Sequence, residues 1–434
     1  MSRPKPFLDE LRWRGLLFQY TEGAADALAA GPVTAYCGFD PTGPSLHVGH
    51  FVPVMALSHL QRAGHHPIAL VGGGTGLIGD PSGRPTERPL ADLDVIESNV
   101  ANIRGQLERF LDFSGPFAAR LRNNADWLRP LPAIALLRDV GKHFSVNYML
   151  AKDSVKSRLD EGISFTEFSY MLLQAYDFLQ LHRREGVTLQ VGGSDQWGNI
   201  TAGIELVRRT TGTAAHGVTL PLVTRADGSK FGKSEAAGGN VWLDPGLTTP
   251  YKFYQFWINT DDRDTGKYLR YFTFLEPDAI AVLERALAEH PDAREAQSEL
   301  AFVVTARVHG DHAARIAREA SRILFDRKAD PYALSPEALH MLREEIPFRR
   351  LSAVRDVSLG AGEALRFSVL DLLVDTGLAK SRSDARRQVQ QGAVTVNGRR
   401  LGPEEHFVEA SEALAGAYFL IRKGAREVAL AELV

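Results

Sequence analysis

The chain has 434 residues, 44% of them hydrophobic and 24% charged, which is the balance of a globular protein long enough for two or three domains. Its formal net charge of −3 excludes a uniformly basic nucleic-acid binder, so any RNA contact must come from a local basic surface. The one cysteine, Cys37, excludes a disulfide framework and a cysteine-rich zinc site within the chain. No apolar run reaches the ~18 residues of a membrane span, and residues 1–15 lack the apolar core of a secretory signal. We therefore expect a soluble cytoplasmic protein.

Strand-like and helix-like segments alternate through the first half of the chain. Val33–Phe39 and Pro67–Val71 have the composition of buried strands, and the segment between them, Val48–Arg62, that of a helix. Further along, the predicted elements are the helices Leu93–Phe113, Ser164–Leu181 and Gln196–Arg209 and the strand Val187–Val191. The alternation predicts an α/β fold with a Rossmann-like parallel sheet, whose ligand site lies beyond the carboxyl ends of the strands.

The pattern changes near Thr248. From Pro250 to about Arg327 it is helical throughout, which predicts a separate helical domain. The stretch that follows, as far as Arg366, carries several prolines and a pair of glycines, which are typical of a connector.

A third unit, predicted as a small α+β domain, begins near Phe367. Ser383 is the predicted N-cap of a helix that ends before Gly392. Ala393–Val396 is strand-like and runs into Asn397-Gly398, a strong signal for a tight turn. A preceding helix is predicted from the one-sided spacing of Leu370, Leu373, Val374 and Leu378.

Two histidines flank a glycine where the first strand and turn give way to a helix. They close the segment Tyr36–His50, which ends in His47-Val48-Gly49-His50. The free N–H groups and the dipole of a helix start attract phosphate oxygens, and the two imidazoles can add donors. Gly49 removes a side chain where a nucleotide must approach the backbone. Taken alone, so short a pattern also arises by chance as two surface histidines.

A second cationic pattern is Lys230-Phe231-Gly232-Lys233-Ser234, which follows a turn at Ala226-Asp227-Gly228. Two lysines three residues apart on a glycine-containing loop form a clamp that can follow the charge moving onto a leaving pyrophosphate. Taken alone, this segment is better interpreted as a solvated surface loop.

The two patterns occur in the order HxGH then KxxKS, separated by an α/β segment of the right size to place both above one sheet. In this the chain resembles the class I aminoacyl-tRNA synthetases, which activate an amino acid with ATP. The second signature usually has methionine and serine where this chain has Phe231 and Gly232, and the KFGKS form resembles that of bacterial tyrosyl-tRNA synthetases. The amino-acid carboxylate is already a nucleophile, so the reaction needs alignment and charge stabilisation rather than a catalytic acid or base.

The resemblance implies phosphate and ribose contacts for four residues, His47, His50, Lys230 and Lys233. Arg84 and Arg88, on the loop after residues 79–83, are candidates for a second cationic arm, with a solvated loop as the alternative.

Tyr170, Gln174 and Asp177 lie at i, i+4 and i+7 and so share one face of a predicted helix. A phenol, an amide and a carboxylate among apolar neighbours do not form a core stripe; a polar outer face is the alternative for this helix by itself. The run Phe165–Phe178 and the later run Gln190–Asn199 resemble the amino-acid pocket of tyrosyl-tRNA synthetases.

That resemblance implies roles for individual residues. Asp177 and Tyr36 would hydrogen-bond the substrate phenol, the ammonium group would meet Asp80, Tyr170 and Gln174, and Gln196 would lie near the carboxylate. A buried carboxylate that reads the hydroxyl is left unpaired when phenylalanine enters, which supplies ~10⁴–10⁵ discrimination without editing, a magnitude known for tyrosyl-tRNA synthetase itself.

The resemblance also implies the ATP contacts. Cys37, Gly193 and Asp195 would face the ribose, Leu222 and Val223 the adenine, and Thr42 and His47 the γ-phosphate. The implied ATP set is completed by Gly38, Asp40, Gly49, His50, Lys230 and Lys233.

Residues 380–400 hold an excess of cations over one acid, Asp384, and in a chain of net charge −3 this predicts a phosphate-binding face. A solvated helix is the alternative. The segments Leu378–Arg387 and Gly392–Gly398 resemble the small RNA-binding domain that bacterial tyrosyl-tRNA synthetases carry at this position. The predicted RNA-binding residues are Lys380, Arg382, Arg386, Arg387, Arg399 and Arg400.

The resemblance covers nearly the whole chain and implies the activity of a tyrosine–tRNA ligase, which forms tyrosyl-adenylate and pyrophosphate and then charges the 3′ end of its tRNA. It also implies a homodimer, and Mg²⁺ that binds with ATP and has no dedicated protein site. The implied domains are a catalytic domain at 1–247, a helical anticodon-side domain at 248–345, a linker at 346–366 and an RNA-binding domain at 367–434.

Two alternatives to this function stay open. The sister synthetase for tryptophan would not need Asp177 paired with Tyr36 and normally lacks the C-terminal module. A catalytically silent, RNA-binding relative would not need both signatures intact.

Overall fold

The computed structural model describes residues 5–82, 92–156, 162–229, 231–234, 239–326, 329–351, 357–359, 365–424 and 427–433. The chain divides into two compact units, each built from two segments of the chain. Unit 1 comprises Met1–Thr248 and Asn259–Leu300, and unit 2 comprises Thr249–Ile258 and Ala301–Val434.

The strands of the described residues lie in four sheets. They are β1 (Gln19–Tyr20), β2 (Thr34–Phe39), β3 (His66–Val71), β4 (Arg120–Asn123), β5 (Val187–Gly193), β6 (His216–Leu220), β7 (Lys233–Ser234), β8 (Gly239–Asn240), β9 (Phe348–Leu351), β10 (Val357–Leu359), β11 (Leu365–Ser368), β12 (Val394–Val396), β13 (Arg399–Arg400), β14 (Phe407–Glu409), β15 (Tyr418–Lys423) and β16 (Glu427–Leu433).

The helices alternate with the strands in unit 1 and precede most of the strands in unit 2. They are α1 (Phe7–Arg14), α2 (Ala24–Ala30), α3 (Val48–Arg62), α4 (Leu93–Leu107), α5 (Ala125–Leu128), α6 (Ala133–Ala135), α7 (Val146–Leu150), α8 (Asp153–Lys156), α9 (Phe165–Glu185), α10 (Trp197–Thr211), α11 (Pro250–Ile258), α12 (Asp262–Phe272), α13 (Pro277–Glu289), α14 (Glu295–His309), α15 (Asp311–Phe325), α16 (Pro336–Arg343), α17 (Val369–Asp375) and α18 (Arg382–Gln390).

The main sheet of unit 1 has the order β1-β6-β5-β2-β3-β4, in which β2 to β6 are parallel and β1 is antiparallel to β6. The predicted α/β fold with a parallel sheet is therefore confirmed. From β2 the chain adds β3 and β4 on one side, and from β5 it adds β6 on the other. The neighbouring strands β2 and β5 are therefore the topological switch point, where open α/β sheets bind ligands. Tyr36 on β2 stands opposite Gln190 on β5 at that point.

Helix α9 shows why the sequence folds as it does around this sheet. Its N-cap Ser164 accepts a hydrogen bond from the backbone N–H of Glu167 at 3.2 Å, and its C-cap Gly186 adopts the left-handed φ of +68° that favours glycine. Between these caps, Ala175 and Phe178 are buried in the same apolar cluster as Ile68 of β3.

The predicted helix Leu93–Phe113 ends earlier than expected, at Leu107. The reason lies in the next hydrogen bonds, since the N–H groups of Arg109 and Phe110 reach back only three residues, to Gln106 and Leu107. The chain therefore tightens and leaves the helix axis.

The helical prediction after Pro250 is confirmed by α11 to α15, and these helices are divided between the two units. In unit 2, two apolar clusters form the core. One contains Leu324 and Leu339 of the helices together with Leu420 and Leu430 of the sheet, and the other is built around α17, α18 and β12.

Part of the predicted linker, residues 346–366, is regular structure. Strand β9 pairs in parallel with β16 and completes a five-stranded sheet, β13-β12-β15-β16-β9. Phe348 packs against one apolar cluster and Leu351 is buried in the other, because residues three apart in a strand point to opposite faces.

The prediction of Ser383 as the N-cap is wrong by two residues. Helix α18 begins after Ser381, whose hydroxyl accepts from the N–H of Asp384 at 3.2 Å, so Ser383 lies inside the first turn. The predicted turn at Asn397-Gly398 is confirmed by φ values of +48° and +80°.

Of the helices that the structure describes, none combines the length and apolarity needed to cross a bilayer.

Candidate active site

A cleft of about 580 Å³ opens at the carboxyl ends of the central strands of unit 1. Asp40 follows β2, Gly72 follows β3, Asp195 follows β5 and Leu222 follows β6, so four loops meet at one edge of the sheet. Among the residues lining this cleft are seventeen predicted for tyrosine or ATP: Tyr36, Cys37, Gly38, Asp40, Thr42, His47, Gly49, His50, Asp80, Tyr170, Gln174, Asp177, Gly193, Asp195, Gln196, Leu222 and Val223.

Four other predicted site residues are described only in part or not at all. Arg84, Arg88 and Lys230 lie outside the described residues. Lys233 is described only by its backbone, which pairs with Asn240 in the small sheet of β7 and β8. The cationic roles of these four residues stay predictions.

His47 and His50 form a capping box at the start of α3. Nδ1 of His47 accepts from the backbone N–H of Gly49 at 3.0 Å, and Nδ1 of His50 accepts from the backbone N–H of His47 at 3.2 Å. The two rings stack with centroids 3.9 Å apart. A Cβ at residue 49 would lie 2.8 Å from the His47 ring, so this conformation requires glycine.

Burial and hydrogen bonding together set the state of the His47 imidazole. Burial lowers the pKa of His47 to about 4, so the ring is neutral near pH 7. Because Nδ1 of His47 is an acceptor, this neutral ring carries its proton on Nε2, and Nε2 is likewise the nitrogen of His50 that is left to donate. The helix start therefore presents imidazole N–H donors without a buried positive charge on His47.

The KFGKS segment lies beside the helix start. Gly232 has a φ of +85°, and a Cβ built there would lie 3.6 Å from the backbone nitrogen of Gly49. Phe231 lines the cleft and stacks on Phe272, with ring centroids 5.3 Å apart. The structure thus brings the described parts of the two signatures together at one end of the cleft.

At another part of the cleft, a buried carboxylate is held by two donors that the sequence interpretation missed. The side-chain amide of Asn124 donates to Oδ2 of Asp177 at 2.9 Å, and the indole N–H of Trp127 donates to Oδ1 at 2.7 Å. Burial raises the pKa of Asp177 to about 7, against these two hydrogen bonds, which lower it.

The phenol of Tyr36 lies in the same region. Its hydroxyl is buried and has no hydrogen-bond partner among the described residues. Burial, and then the charge of Asp177, hold the pKa of this phenol well above its usual value. A buried hydroxyl without a partner costs free energy, so this part of the cleft favours a ligand with a polar group.

A network of amides and carboxylates joins α9 to the loop after β5. Nε2 of Gln196 donates to Asp80 at 2.7 Å and to Asp195 at 3.2 Å, and its Oε1 accepts from Gln174 at 3.2 Å. Asn199, also missed from the sequence, donates to Gln174 at 3.1 Å. Two carboxylates in one network favour a cationic ligand group nearby.

Tyr170, which is predicted to meet the substrate ammonium group, also has a hydrogen-bond partner within the protein. Its hydroxyl donates to Oδ2 of Asp40 at 2.7 Å, and Thr75 donates to Oδ1 of the same carboxylate at 2.8 Å. Burial and the charge of Asp40 raise the pKa of the Tyr170 phenol well above its usual value. Asp40 therefore fixes Tyr170 in addition to lining the cleft.

Of the residues predicted to face the ribose, Gly193 ends β5 and Asp195 follows it, while Cys37 lies on the neighbouring strand β2. A Cβ on Gly193 would lie 2.3 Å from Oδ1 of Asp195, so glycine makes room for this carboxylate. Burial raises the pKa of Asp195 and raises that of the Cys37 thiol to about 12, which leaves the thiol protonated at neutral pH.

The predicted RNA-binding residues of unit 2 are more neutralised than their sequence count indicates. Arg382 pairs with Asp371 at 3.0 Å, Arg387 with Asp384 at 2.6 Å, and Arg399 with two glutamates at 2.6 and 2.9 Å. The side chain of Arg400 donates to the carbonyl of Gly392 at 2.7 Å. Lys380 and Arg386 have no such carboxylate among the described residues. Three of these acids, Asp371, Glu405 and Glu412, lie outside residues 380–400, so the fold adds negative charge that the sequence count omits.

No cluster of histidine, cysteine and acidic side chains that could hold a metal ion is found in the part of the chain that the structure describes.

Comparison with known proteins adds to this geometry. Residues 28–326 match the family model "tRNA synthetases class I (W and Y)", and residues 352–431 match "Tyrosine--tRNA ligase SYY-like C-terminal domain". A tyrosine–tRNA ligase of Anaeromyxobacter dehalogenans is 53% identical over 426 residues, 98% of this chain and 99% of the relative. One of Geobacillus stearothermophilus is 51% identical over 424 residues, 97% of this chain and 98% of the relative.

A solved structure agrees with these matches. A C-terminally truncated mitochondrial tyrosyl-tRNA synthetase of Aspergillus nidulans is 31% identical, with a TM-score of 0.66 over 75% of this chain and 95% of that chain. The chain therefore belongs to the tyrosine–tRNA ligases, a family of the class I aminoacyl-tRNA synthetases.

Proposed function

We propose that this chain activates L-tyrosine with ATP and transfers it to the 3′ end of its tRNA. The observation that carries the proposal is one cleft with two unlike parts. One holds the phenol of Tyr36, which lacks a hydrogen-bond partner in the part of the chain that the structure describes, beside Asp177. Another holds the helix start with His47 and His50. The first suits a phenolic side chain, and the second suits phosphate oxygens.

The proposed reaction has two steps. In the first, a carboxylate oxygen of tyrosine attacks the α-phosphorus of ATP, and the bond from that phosphorus to the bridging oxygen breaks, which releases pyrophosphate. In the second, a ribose hydroxyl of the terminal tRNA nucleotide attacks the carbonyl carbon of tyrosyl-adenylate, and AMP leaves. Neither step places a covalent bond on the protein, so its side chains align the substrates and stabilise charge.

In this proposal Asp177 and Tyr36 bind the tyrosine hydroxyl, and Asp80, Tyr170 and Gln174 face its ammonium group, with Gln196 near its carboxylate. The charge balance supports this arrangement, because the network that contains Asp80 and Asp195 is anionic and the bound amino group is cationic.

ATP is proposed to bind along the rest of the cleft. His47 and His50 donate from Nε2 to phosphate oxygens, with Thr42 beside them. The backbones of Gly38 and Gly49 and the groups of Cys37, Asp40, Gly193 and Asp195 contact the nucleotide. Leu222 is 60% exposed, an apolar side chain that adenine can cover together with Val223. Lys230, Lys233, Arg84 and Arg88 are proposed to complete the cationic contacts.

Mg²⁺ is proposed to enter on the phosphates of ATP. The proposal gives the ion no dedicated protein site, since the oxygen-rich phosphates of ATP supply the ligands that Mg²⁺ prefers.

We further propose a homodimer, a cytoplasmic location with the tRNA substrate, and the domain roles given by the sequence: catalysis in 1–247, tRNA contact in 248–345 and 367–434, and connection by 346–366. Unit 1 exposes large apolar side chains that a second copy would cover, namely Ile134, Leu137, Val146 and Phe165. Sedimentation of the wild type and of Ile134→Lys at micromolar concentration tests the dimer, which the lysine should weaken.

The activity is tested by mixing the protein with ATP and radiolabelled tyrosine in the presence of pyrophosphatase. We expect tyrosyl-adenylate that stays with the protein on gel filtration and is discharged by tRNA. Absence of bound adenylate with folded protein would contradict the proposal.

A further inference from the structure

We infer that Trp242 is a positioning residue for the activation of tyrosine with ATP. It holds the HVGH helix start (His47–His50) and the KFGKS segment in a fixed position relative to each other. Trp242 is not among the described residues that line the cleft, so it acts through others. The inference rests on the proposed function, because it assumes that these two segments bind ATP.

The backbone around Trp242 is bonded to both signatures. On one side, the N–H of Val241 donates to the carbonyl of Gly232 at 2.9 Å, directly after β8 pairs with β7. On the other side, the N–H of Val48 donates to the carbonyl of Val241 at 3.0 Å, and the N–H of Leu243 donates to Leu46 at 2.8 Å. One short extended segment thus ties the KFGKS backbone to the residues on either side of His47.

The indole ring covers the turn before the helix start. Its atoms lie 3.3 and 3.4 Å from the position of a Cβ at Gly43, and its centroid is 6.0 Å from that of His47. The main chains of His47 and Trp242 form an antiparallel bridge. The ring therefore limits movement of both the His47 imidazole and the turn that carries Thr42.

Three side-chain amides of α4 form hydrogen bonds to the backbone of the same turn, residues 41–46. Asn99 donates to the carbonyl of Pro41 at 3.0 Å, and Asn102 donates to that of Pro44 at 3.2 Å. Oε1 of Gln106 accepts from the N–H of Leu46 at 2.9 Å. With α4 fixed behind the turn, loss of the indole frees the turn and His47 toward the space that the ring leaves.

The expected effect is confined to ATP. A displacement of about 1 Å at a group that aligns a reacting phosphate lowers the rate on the order of 10²-fold. The phenol-binding residues Tyr36 and Asp177 are held by β2, α9, Asn124 and Trp127, not by Trp242. Tyrosine binding measured without ATP should therefore change less than twofold.

The test compares Trp242→Ala, Trp242→Phe and, as a matched control away from the cleft, Trp13→Phe, in the full-length protein. The readouts are kcat/KM for ATP in tyrosine-dependent pyrophosphate exchange and the dissociation constant for tyrosine without ATP. We expect Trp242→Ala to lower kcat/KM for ATP on the order of 10²-fold, and Trp242→Phe, which keeps a flat ring, to recover most of the loss. Trp13→Phe should match the wild type.

Gly43→Ala keeps the inference open to refutation if Trp242→Ala does not fold. It places a methyl group 3.3 Å from the indole and should shift the ring, so that kcat/KM for ATP falls. If Trp242→Ala does fold, the same methyl meets no ring in that background, so the double variant should be no worse than Trp242→Ala alone.

Three results would overturn the inference: unchanged ATP kinetics in Gly43→Ala, additive effects in the double variant, or tyrosine affinity falling in step with kcat/KM for ATP. Failure of the wild type to exchange pyrophosphate with tyrosine would refute the proposed function instead, which is a separate result.

Discussion

The side-chain amide of Asn124 holds the carboxylate of Asp177, with its Nδ2 2.9 Å from Oδ2. Asn124 is itself fixed, since its Oδ1 accepts from the N–H of Gly74 at 2.7 Å and its amide also donates to Thr75 at 2.9 Å. Asp177, which is proposed to bind the tyrosine hydroxyl, is thus oriented through Asn124 by the glycine turn after β3.

Replacing Asn124 with alanine should weaken tyrosine binding by roughly 10- to 100-fold, since a hydrogen bond to a charged group contributes about 1.5–3 kcal/mol. The preference for tyrosine over phenylalanine should shrink by a similar factor, while the KM for ATP should stay near that of the wild type. Calorimetric titration with the two amino acids measures this. Asn147→Ala, at an exposed asparagine of α7, is the control, and equal losses in Asn147→Ala would refute the assignment.

Tyrosine affinity should depend on pH through Asp177. Its pKa is raised to about 7, so the carboxyl group is mostly ionised at pH 8 and mostly protonated at pH 6. An ionised carboxylate is the stronger acceptor for the substrate hydroxyl, so the dissociation constant should rise as pH falls below 7, by up to about tenfold per unit. Asp177→Asn should bind weakly with a flat profile. A wild-type profile that is flat from pH 6 to 8 would contradict this role.

Substituting Asp177 with alanine should reduce tyrosine affinity more than ATP affinity, because the carboxylate lies among the phenol-binding residues and away from the HVGH helix start. Equilibrium dialysis with tyrosine, and the KM for ATP at saturating tyrosine, separate the two effects. Equal losses for both ligands would remove the phenol-reading role.

His47 should act as a neutral donor. Its pKa of about 4 means that adenylate formation should show no titration of this residue between pH 6 and 8. His47→Asn keeps a good N-cap and should retain stability, whereas His47→Ala should lose about 1 kcal/mol. Both should slow adenylate formation, because neither side chain places a donor where the imidazole Nε2 lies. Thermal unfolding with single-turnover kinetics distinguishes the two contributions, and a fast His47→Ala would refute the donor role.

Deletion of residues 367–434 should leave adenylate formation nearly intact and abolish tRNA charging, because the described residues that line the cleft all belong to unit 1. The deletion also removes Leu420 and Leu430 from the cluster they share with Leu324 and Leu339, so the rest of unit 2 should become less stable. Hydrogen exchange of α15 and α16 measures this second effect. Normal charging by the truncated protein would show that the basic module is irrelevant to it.

Within that module, Arg386→Ala should weaken tRNA binding more than Arg387→Ala does. Arg387 is paired with Asp384 at 2.6 Å, whereas no carboxylate of the described chain pairs with Arg386. An unpaired cation that contacts phosphate also contributes more to the salt dependence of binding. Filter binding at several salt concentrations compares the two variants, and equal slopes would contradict the expectation.

The positions of many predicted site residues can be inferred from the sequence because these residues lie on regular elements. Spacing on α9 placed Tyr170, Gln174 and Asp177 on one face, and the strand–turn–helix pattern placed His47 at a helix start. Asn124 and Trp127 could not be found in this way, since they reach Asp177 from a segment some fifty residues away, and only the pairing of β3 with β4 brings them there.

Other differences have the same origin. Strand β9 could not be predicted because its partner, β16, lies at the far end of the chain. Ser381 and Ser383 both fit the N-cap pattern, and only the backbone geometry chooses between them. The charge of residues 380–400 does not include the acids that folding places beside Arg382 and Arg399.

Amino-acid-dependent pyrophosphate exchange, measured with each of the twenty amino acids in turn, tests directly whether the protein activates tyrosine. We predict exchange with tyrosine, exchange with phenylalanine lower by ~10⁴–10⁵, the factor known for this enzyme family, and none with tryptophan. Exchange with tryptophan and not with tyrosine, or exchange with no amino acid, would contradict the account.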